Sequence, residues 1–387
     1  MKITHIHIER FRGFQNEDFE VGSLLTAIAG QNGTQKSTLL GIITQTFTLK
    51  TEDSMRVEKP LCGGSYISAF KDKFRLSPTF DKPKGHEWTI SFDAGMDDFT
   101  VESIKRTGDP NVRFWKKGAR QEGDGYISFP TIFLSLKRLV PVAEEAKIIT
   151  DDTLLTQEEL NEFKQLHNKI LIAQTPISSA TTITSKNKQS IGVSTELYDW
   201  NQNSMGQDNL GKIILALFSF KRLHDKYPRQ YKGGILAIDE MDATMYPASQ
   251  VELLKVLRKY ASKLNLQILF TTHSMSLLKA MDDLVQEVTK KEETANQAKI
   301  LYLKKVDDKI AIKQGVNFKG IQLDLNVVAE GNNRKKNRIT AYTEDKENIL
   351  FVKAILKSKA FVLDFVDVTL PCSTYRCIYN RLLLNIL

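Results

Sequence analysis

Four short segments carry residue types whose spacing fits chemistry on a phosphate chain. The first is Gly30-Gln-Asn-Gly-Thr-Gln-Lys-Ser-Thr38. A glycine-permitted turn lets several backbone N–H groups converge on one anion, and a helix starting at Lys36 points its positive end at the same place. Asn32, Gly33 and Thr38 would then lie along the phosphates, Lys36 would reach the terminal ones, and the Ser37 hydroxyl would ligate Mg2+. Gln35 stands where such loops have glycine before the lysine, so its side chain is expected either to strain the turn or to crowd the phosphates. The second segment, Gly234-Ile-Leu-Ala-Ile-Asp239-Glu240, is an apolar run ending in two acids. Asp239 would hold Mg2+ through water and Glu240 would polarise an attacking water. The third, Ile268-Leu-Phe-Thr-Thr-His273-Ser274, delivers one of the chain's six histidines to the end of another apolar run. The fourth, Asn203-Ser204-Met205-Gly206-Gln207-Asp208, runs directly into a helix. It is either a plain capped helix start or a second anion site, built from the Ser204 hydroxyl, the Gly206 N–H and neighbouring Gln207.

These segments need elements to hold them. Lys2–Arg10 alternates like a strand, with Thr4, Ile6 and Ile8 as the inward positions. A second strand is expected at Leu24–Ala29, and a helix runs from Lys36 toward Phe47. From Phe74 to Tyr126 short alternating runs broken by Gly, Pro and Asp read as antiparallel hairpins, and Thr131–Leu136 reads as a buried strand. Residues 151–203 are polar. LTQEELNEFKQLHNKIL has helical spacing, and SSATTITSKNKQS reads as a Ser/Thr-rich loop. Then follow a helix at Leu210–Leu223, a strand at Gly234–Ile238, a helix at Ala248–Leu264, a strand at Gln267–Thr271 and a Lys-rich hairpin at Ile300–Lys313. Glu330–Arg338 is charged and unpatterned, which marks a linker, and RITAYTEDKENILFVKAILKS beyond it reads strand, turn, helix.

The chain has 387 residues, 41% of them hydrophobic and 26% charged, which fits one large core with a smaller second domain. No stretch approaches the roughly 18 apolar residues of a membrane helix, and the N-terminus lacks a signal-like apolar core. A cytoplasmic protein with no membrane partner is expected. Cys62, Cys372 and Cys377 form neither a disulfide framework nor a zinc set, so reduced thiols are expected. The net charge of +8 weakly favours an anionic partner.

Taken in order, the four segments resemble the ABC-type ATPase heads of the SMC, RecF and OLD families, over residues 1–280. Ile8-Glu-Arg-Phe-Arg12-Gly-Phe14 is similar to the x-F-R-x-F strand end of those families, and Asp239-Glu-Met-Asp-Ala-Thr-Met-Tyr-Pro247 to their DExDxxLHP run, with Tyr246 replacing the histidine. The resemblance implies an α/β P-loop fold: a mixed-sheet lobe, an antiparallel β lobe and a helical lobe carrying the signature motif. It implies ATP and Mg2+ as cofactors, Glu240 and His273 as catalytic residues, and Arg12 and Asp242 among the nucleotide-binding ones. It also implies a head-to-tail dimer, because Ser204, Gly206 and Gln207 in such heads face the nucleotide of the other subunit. The segment Phe133-Leu-Ser-Leu-Lys-Arg138-Leu-Val-Pro141 resembles bacterial anti-phage ATPases of the Septu PtuA, PARIS AriA and OLD types, which implies an effector such as a nuclease, and DNA, as partners. Those heads carry a Mg2+-sensing glutamine after this strand. Here Ser135, Lys137 and Arg138 are the polar candidates.

The expected organisation is an ATPase domain at 1–329 with a short helical, polar insertion at 151–203, a basic linker at 330–338 and a small αβ segment at 339–387. The insertion has no heptads and is too short for an SMC rod. The last segment resembles the start of a Toprim domain, with Glu344 after a strand, but Asp364 and Asp367 lack the paired-acid spacing of that fold. Three activities stay open: an ATPase that gates an effector, an OLD-like nuclease with its own Toprim centre, and a nucleotide sensor with little turnover. Arg334, Lys335, Lys336 and Arg338, with Lys304 and Lys305, are either phosphate contacts for DNA or a solvated surface.

Overall fold

The computed structural model describes residues 1–66, 70–93, 95–105, 112–119, 124–140, 149–151, 154–173, 175–184, 189–197, 199–330, 339–341, 343, 345–357, 360 and 363–365. The chain divides into two compact units, Met1–Gln322 and Leu323–Leu387.

The first unit opens with a hairpin of β1 (Ile3–Phe11) and β2 (Phe14–Glu20), followed by β3 (Leu25–Gly30), α1 (Lys36–Thr44) and the short β4 (Phe47–Thr48). A one-turn helix α2 (Phe70–Lys73) precedes the meander of β5 (Glu87–Phe92), β6 (Phe99–Lys105) and β7 (Val112–Lys116). These strands form an antiparallel sheet in the order β2-β1-β5-β6-β7, the hairpin lobe expected from the alternating runs. A register shift between Ile3 and His5 moves the inward positions of β1. Ile3, Ile6 and Ile8 are buried, whereas Thr4, expected inward, is exposed.

After β8 (Ile127–Ser128) come β9 (Thr131–Leu134), β10 (Ile149–Asp151), α3 (Gln157–Leu171), β11 (Ser179–Thr184), β12 (Gln189–Ser194) and α4 (Met205–Lys226). The Ser/Thr-rich stretch expected as a loop is thus largely a hairpin, joined by β10 into a three-stranded sheet. Its β-branched residues suit a pleated surface, and Ile183, Ile191 and Val193 are buried. Helix α3 packs against α4 and against the later helix α5 (Pro247–Lys263), with Phe163 and Ile170 buried.

The chain continues from α4 into β13 (Gly234–Ile238), α5, β14 (Leu266–Thr272), α6 (Met275–Val288), β15 (Ala298–Val306) and β16 (Lys309–Gln314). These complete a six-stranded sheet in the order β16-β15-β3-β14-β13-β9, parallel except for the β16 edge. Every residue of β3, β13 and β14 is buried, as a parallel sheet covered on both faces requires. Leu39, Leu40, Ile42 and Ile43 of α1 share one core with Ile6, Phe11 and Trp88 of the antiparallel sheet and with Ile28, Ile235 and Leu269 of the parallel one. The chain therefore adopts the expected α/β P-loop fold, with mixed-sheet, antiparallel and helical parts.

Helix α7 (Phe318–Glu330) contains the division between the units, and the second unit holds β17 (Ile339–Ala341), α8 (Lys346–Leu356) and β18 (Leu363–Phe365), with β17 and β18 parallel. Among the described residues no helix is long and apolar enough to cross a membrane.

Candidate functional site

The middle of the parallel sheet runs β3, β14, β13, so three neighbouring strands end at one edge. In open α/β sheets ligands sit in the crevice beyond such carboxyl ends. Here β3 leads into the Gly30–Thr38 loop, β13 into Asp239 and Glu240, and β14 into His273.

The loop carries the geometry of an anion cradle. α1 starts at Lys36 with no side-chain cap, leaving its first N–H groups aimed into the loop. Asn32 and Gly33 are exposed at the loop's outer edge. Gln35, at the glycine position, is in the left-handed conformation (φ 62°, ψ 32°). Its side chain turns away from the loop, and its Oε1 accepts a long hydrogen bond from the Gly13 N–H at 3.4 Å. The expected strain is therefore present, and the side-chain amide lies toward Gly13.

Lys36 is buried and donates to Gly30 O at 3.1 Å and Gln31 O at 3.0 Å. Burial lowers the pKa of its ammonium, opposed by the carboxylates of Glu240, Asp239 and Asp242. The Ser37 hydroxyl donates to Asp239 Oδ1 at 2.8 Å. A hydroxyl and a carboxylate in contact are hard oxygen donors of the kind Mg2+ takes. A buried lysine, uncapped helix N–H groups and this oxygen pair together fit a magnesium-bound nucleoside triphosphate.

Thr271, which the sequence did not single out, joins the acids to β14. Its hydroxyl donates to Asp239 Oδ1 at 2.8 Å and accepts the Glu240 N–H at 2.6 Å. The available signal was a polar β-branched residue two places before the histidine. His273 Nε2 lies 3.6 Å from Glu240 Oε1, and both side chains are about one-third exposed, open to a ligand from the strand ends.

Arg12 stands beside the helix at the third residue of the Lys36-Ser-Thr run. Its Nη1 donates to Thr38 Oγ1 at 3.2 Å, while Nε and Nη2 grip Asp81 at 3.1 Å each and Nη2 also reaches Arg75 O at 2.7 Å. Burial raises the Asp81 pKa, but hydrogen bonds from Arg12, the Ser77 N–H and His86 outweigh it and keep Asp81 an anion.

The Ser204 segment forms a capping box at the start of α4: Gln207 N donates to Ser204 Oγ at 3.4 Å and Ser204 N to Gln207 Oε1 at 2.8 Å. Ser204 is exposed, and Gly206 is buried against the turn after Glu240. A Cβ on Gly206 would lie 2.6 Å from Thr244 O, so only glycine fits there. Asp242 belongs to that turn, and its Oδ1 is buried without a hydrogen-bond partner. Tyr246, in place of the expected histidine, donates from its hydroxyl to Leu171 O at 2.7 Å.

The structure thus brings Lys36, Ser37, Asp239, Glu240 and His273 to one sheet edge and sets Arg12 against Thr38. Ser204, Gly206 and Gln207 sit instead with the Asp242 turn. Of the three polar candidates after β9, Arg138 is the buried one. Lys304 and Lys305 are exposed on β15. Arg334, Lys335, Lys336, Arg338, Glu344, Asp367, Cys372 and Cys377 lie outside the described residues, as does the side chain of Asp364. Cys62 is a free, buried thiol.

No curated protein matches the chain. Among solved structures it is similar to the SMC head domain from Thermotoga maritima, at 14% identity over 82% of this chain and 100% of that one, with a TM-score of 0.45. It is also similar to an Smc head bound to the C-winged helix domain of ScpA (12% identity, 83% and 100% covered, TM-score 0.48). A third is an Smc head with an extended coiled coil bound to the C-terminal domain of ScpA, derived from Pyrococcus furiosus (12%, 85% and 99%, 0.44). The AAA ATPase domain model AAA_15 matches residues 1–190 and 135–278. The matched stretches together take in well over half of the sequence, and the chain belongs to the AAA ATPase domain family.

Proposed function

We propose that this ATPase binds ATP with Mg2+, closes into a head-to-tail dimer around two nucleotides, hydrolyses them, and through that cycle gates a DNA-processing or anti-phage effector. One observation carries the chemistry: Ser37, Thr271 and the Glu240 N–H all converge on or beside the Asp239 carboxylate at the mouth of the phosphate loop. Bound Mg-ATP supplies a phosphoryl group that water can take. Lys36 and the first N–H groups of α1 would hold the phosphates, and Ser37 directly and Asp239 through water would hold the metal. Glu240 accepts the proton of the attacking water, and His273, 3.6 Å from that carboxylate, orients the terminal phosphate. Arg12 would reach the nucleotide beside Thr38.

The dimer reading draws on Ser204, which is exposed at the N-terminus of α4, where an anion of a second subunit could be met. Exposed Lys304 and Lys305 offer phosphate contacts to DNA.

A second reading, a nucleotide sensor with little turnover, draws on the strained Gln35. Phosphate release separates the two. Glu240→Gln is expected to bind ATP like the wild type and release no phosphate, and Lys36→Ala to lose binding. Wild-type protein that binds ATP and releases no more phosphate than Glu240→Gln would be a sensor.

A further inference from the structure

Glu240 and Thr244 bracket a strained turn. Both have positive φ, 51° and 67°, although Glu240 carries a working side chain and Thr244 is β-branched. Conformations of this kind persist only where the surroundings hold them. Thr271 and Gln250 are among the side chains that do so here, and two others belong to neither the phosphate loop nor the strand ends β13 and β14.

Arg138, in the helical turn Leu136–Leu139 after β9, is 2% exposed. Its Nη2 donates to Glu240 O at 2.7 Å, its Nη1 to Leu134 O at 3.2 Å and Ser135 O at 3.1 Å, and its Nε to Asn209 Oδ1 at 2.7 Å. Asn209, on the first turns of α4 and fully buried, donates from Nδ2 to Ala243 O at 2.9 Å and Thr244 Oγ1 at 3.4 Å. The two side chains thus clamp the turn at both ends and tie it to the helix that begins at Ser204. Burial lowers the Arg138 pKa to about 10, opposed by the carboxylates of Asp239, Glu240 and Asp242, so the guanidinium stays charged near neutral pH. A buried guanidinium bonded to carbonyls and an amide is costly unless its fork is needed.

We propose, on the footing that Glu240 is the base that activates water, that Arg138 and Asn209 are positioning residues. They fix the Glu240 carboxylate for hydrolysis and link its placement to the helix bearing Ser204. Thr271 holds the Glu240 N–H and Arg138 its carbonyl, so rotation of either peptide plane moves the carboxylate. A shift of α4 is passed on through Asn209.

The test measures kcat and equilibrium ATP affinity on the full chain for wild type, Arg138→Lys, Asn209→Ala and the double variant, with Glu240→Gln as reference. Lysine keeps the charge and loses the fork. Arg138→Lys is expected to lower kcat about tenfold or more and to change ATP affinity less than about threefold, a split that marks loss of a transition-state interaction. Asn209→Ala should show the same split. The double variant should lose much less than the product of the single losses, because both act on one turn. Should Arg138→Lys fail to fold, Asn209→Ala carries the kcat-against-affinity test alone. A silent Glu240→Gln beside an Asn209→Ala or Arg138→Lys with wild-type kcat overturns the clamp and leaves Glu240 as base. An active Glu240→Gln overturns both. Loss of affinity in step with kcat would make the clamp a structural support of the fold and overturn its positioning role.

Discussion

The hydroxyl of Ser37 donates to Asp239 Oδ1 at 2.8 Å and so joins the first turn of α1 to the end of β13. The same oxygen takes the Thr271 hydroxyl, so one carboxylate oxygen gathers the loop, the acids and β14 before any ligand is considered. If that oxygen pair is the Mg2+ site, Ser37→Ala and Asp239→Asn should weaken Mg2+-dependent ATP binding by about tenfold or more, about 1.4 kcal/mol. Binding in EDTA should change little. Isothermal titration with and without Mg2+ checks this, and equal losses in both conditions would remove the metal from the pair.

Gln35 holds φ at 62° with only a 3.4 Å contact to Gly13 in return. A left-handed non-glycine residue costs roughly 1–2 kcal/mol, partly offset by the extra freedom glycine brings to the unfolded chain. Gln35→Gly should therefore raise unfolding stability by about 0.5–1 kcal/mol in urea titrations. A drop in stability would mean that the amide holds Gly13 more firmly than its length suggests.

His167, on α3, has both ring nitrogens buried without hydrogen-bond partners, and burial pushes its pKa down to about 4. Unfolded, it titrates near 6.5. Because the unfolded chain binds the extra proton between these values, stability is full above pH 6.5 and is lost as pH falls toward 4. The loss approaches about 3 kcal/mol at the low end. His167→Leu should flatten the fall in denaturant-derived stability over that window. An unchanged pH slope would place the titrating group elsewhere.

The residues of the phosphate loop and the strand ends announced themselves in the sequence, and those that brace them from elsewhere in the fold did not. β13 was legible to the residue because all five positions are buried and two acids end the run. β2 was not, since its two buried positions, Phe14 and Phe19, fall on opposite phases of the strand period. β11 and β12 hid behind threonine and serine, whose fitness for a pleated surface shows only once partners exist. Lys36, Asp239, Glu240 and His273 were singled out from spacing, and the fold brings them to one sheet edge. Arg138 stood as one of three candidates because its partners, Glu240 O and Asn209, lie far along the chain and three of its four bonds go to carbonyls that carry no sequence signature.

The central claim is that Ser204 and Gly206 complete the nucleotide site of a second subunit. A Lys36→Ala chain should fail to hydrolyse ATP alone, and so should a Ser204→Arg chain. In a mixed dimer both lesions fall on one composite site and the other is intact. Mixing the two inactive proteins should therefore restore ATP hydrolysis, to about one quarter of the wild-type rate if half the dimers are mixed and sites act independently. No recovery in dimers shown to be mixed, with wild-type association indifferent to ATP, would contradict the shared site.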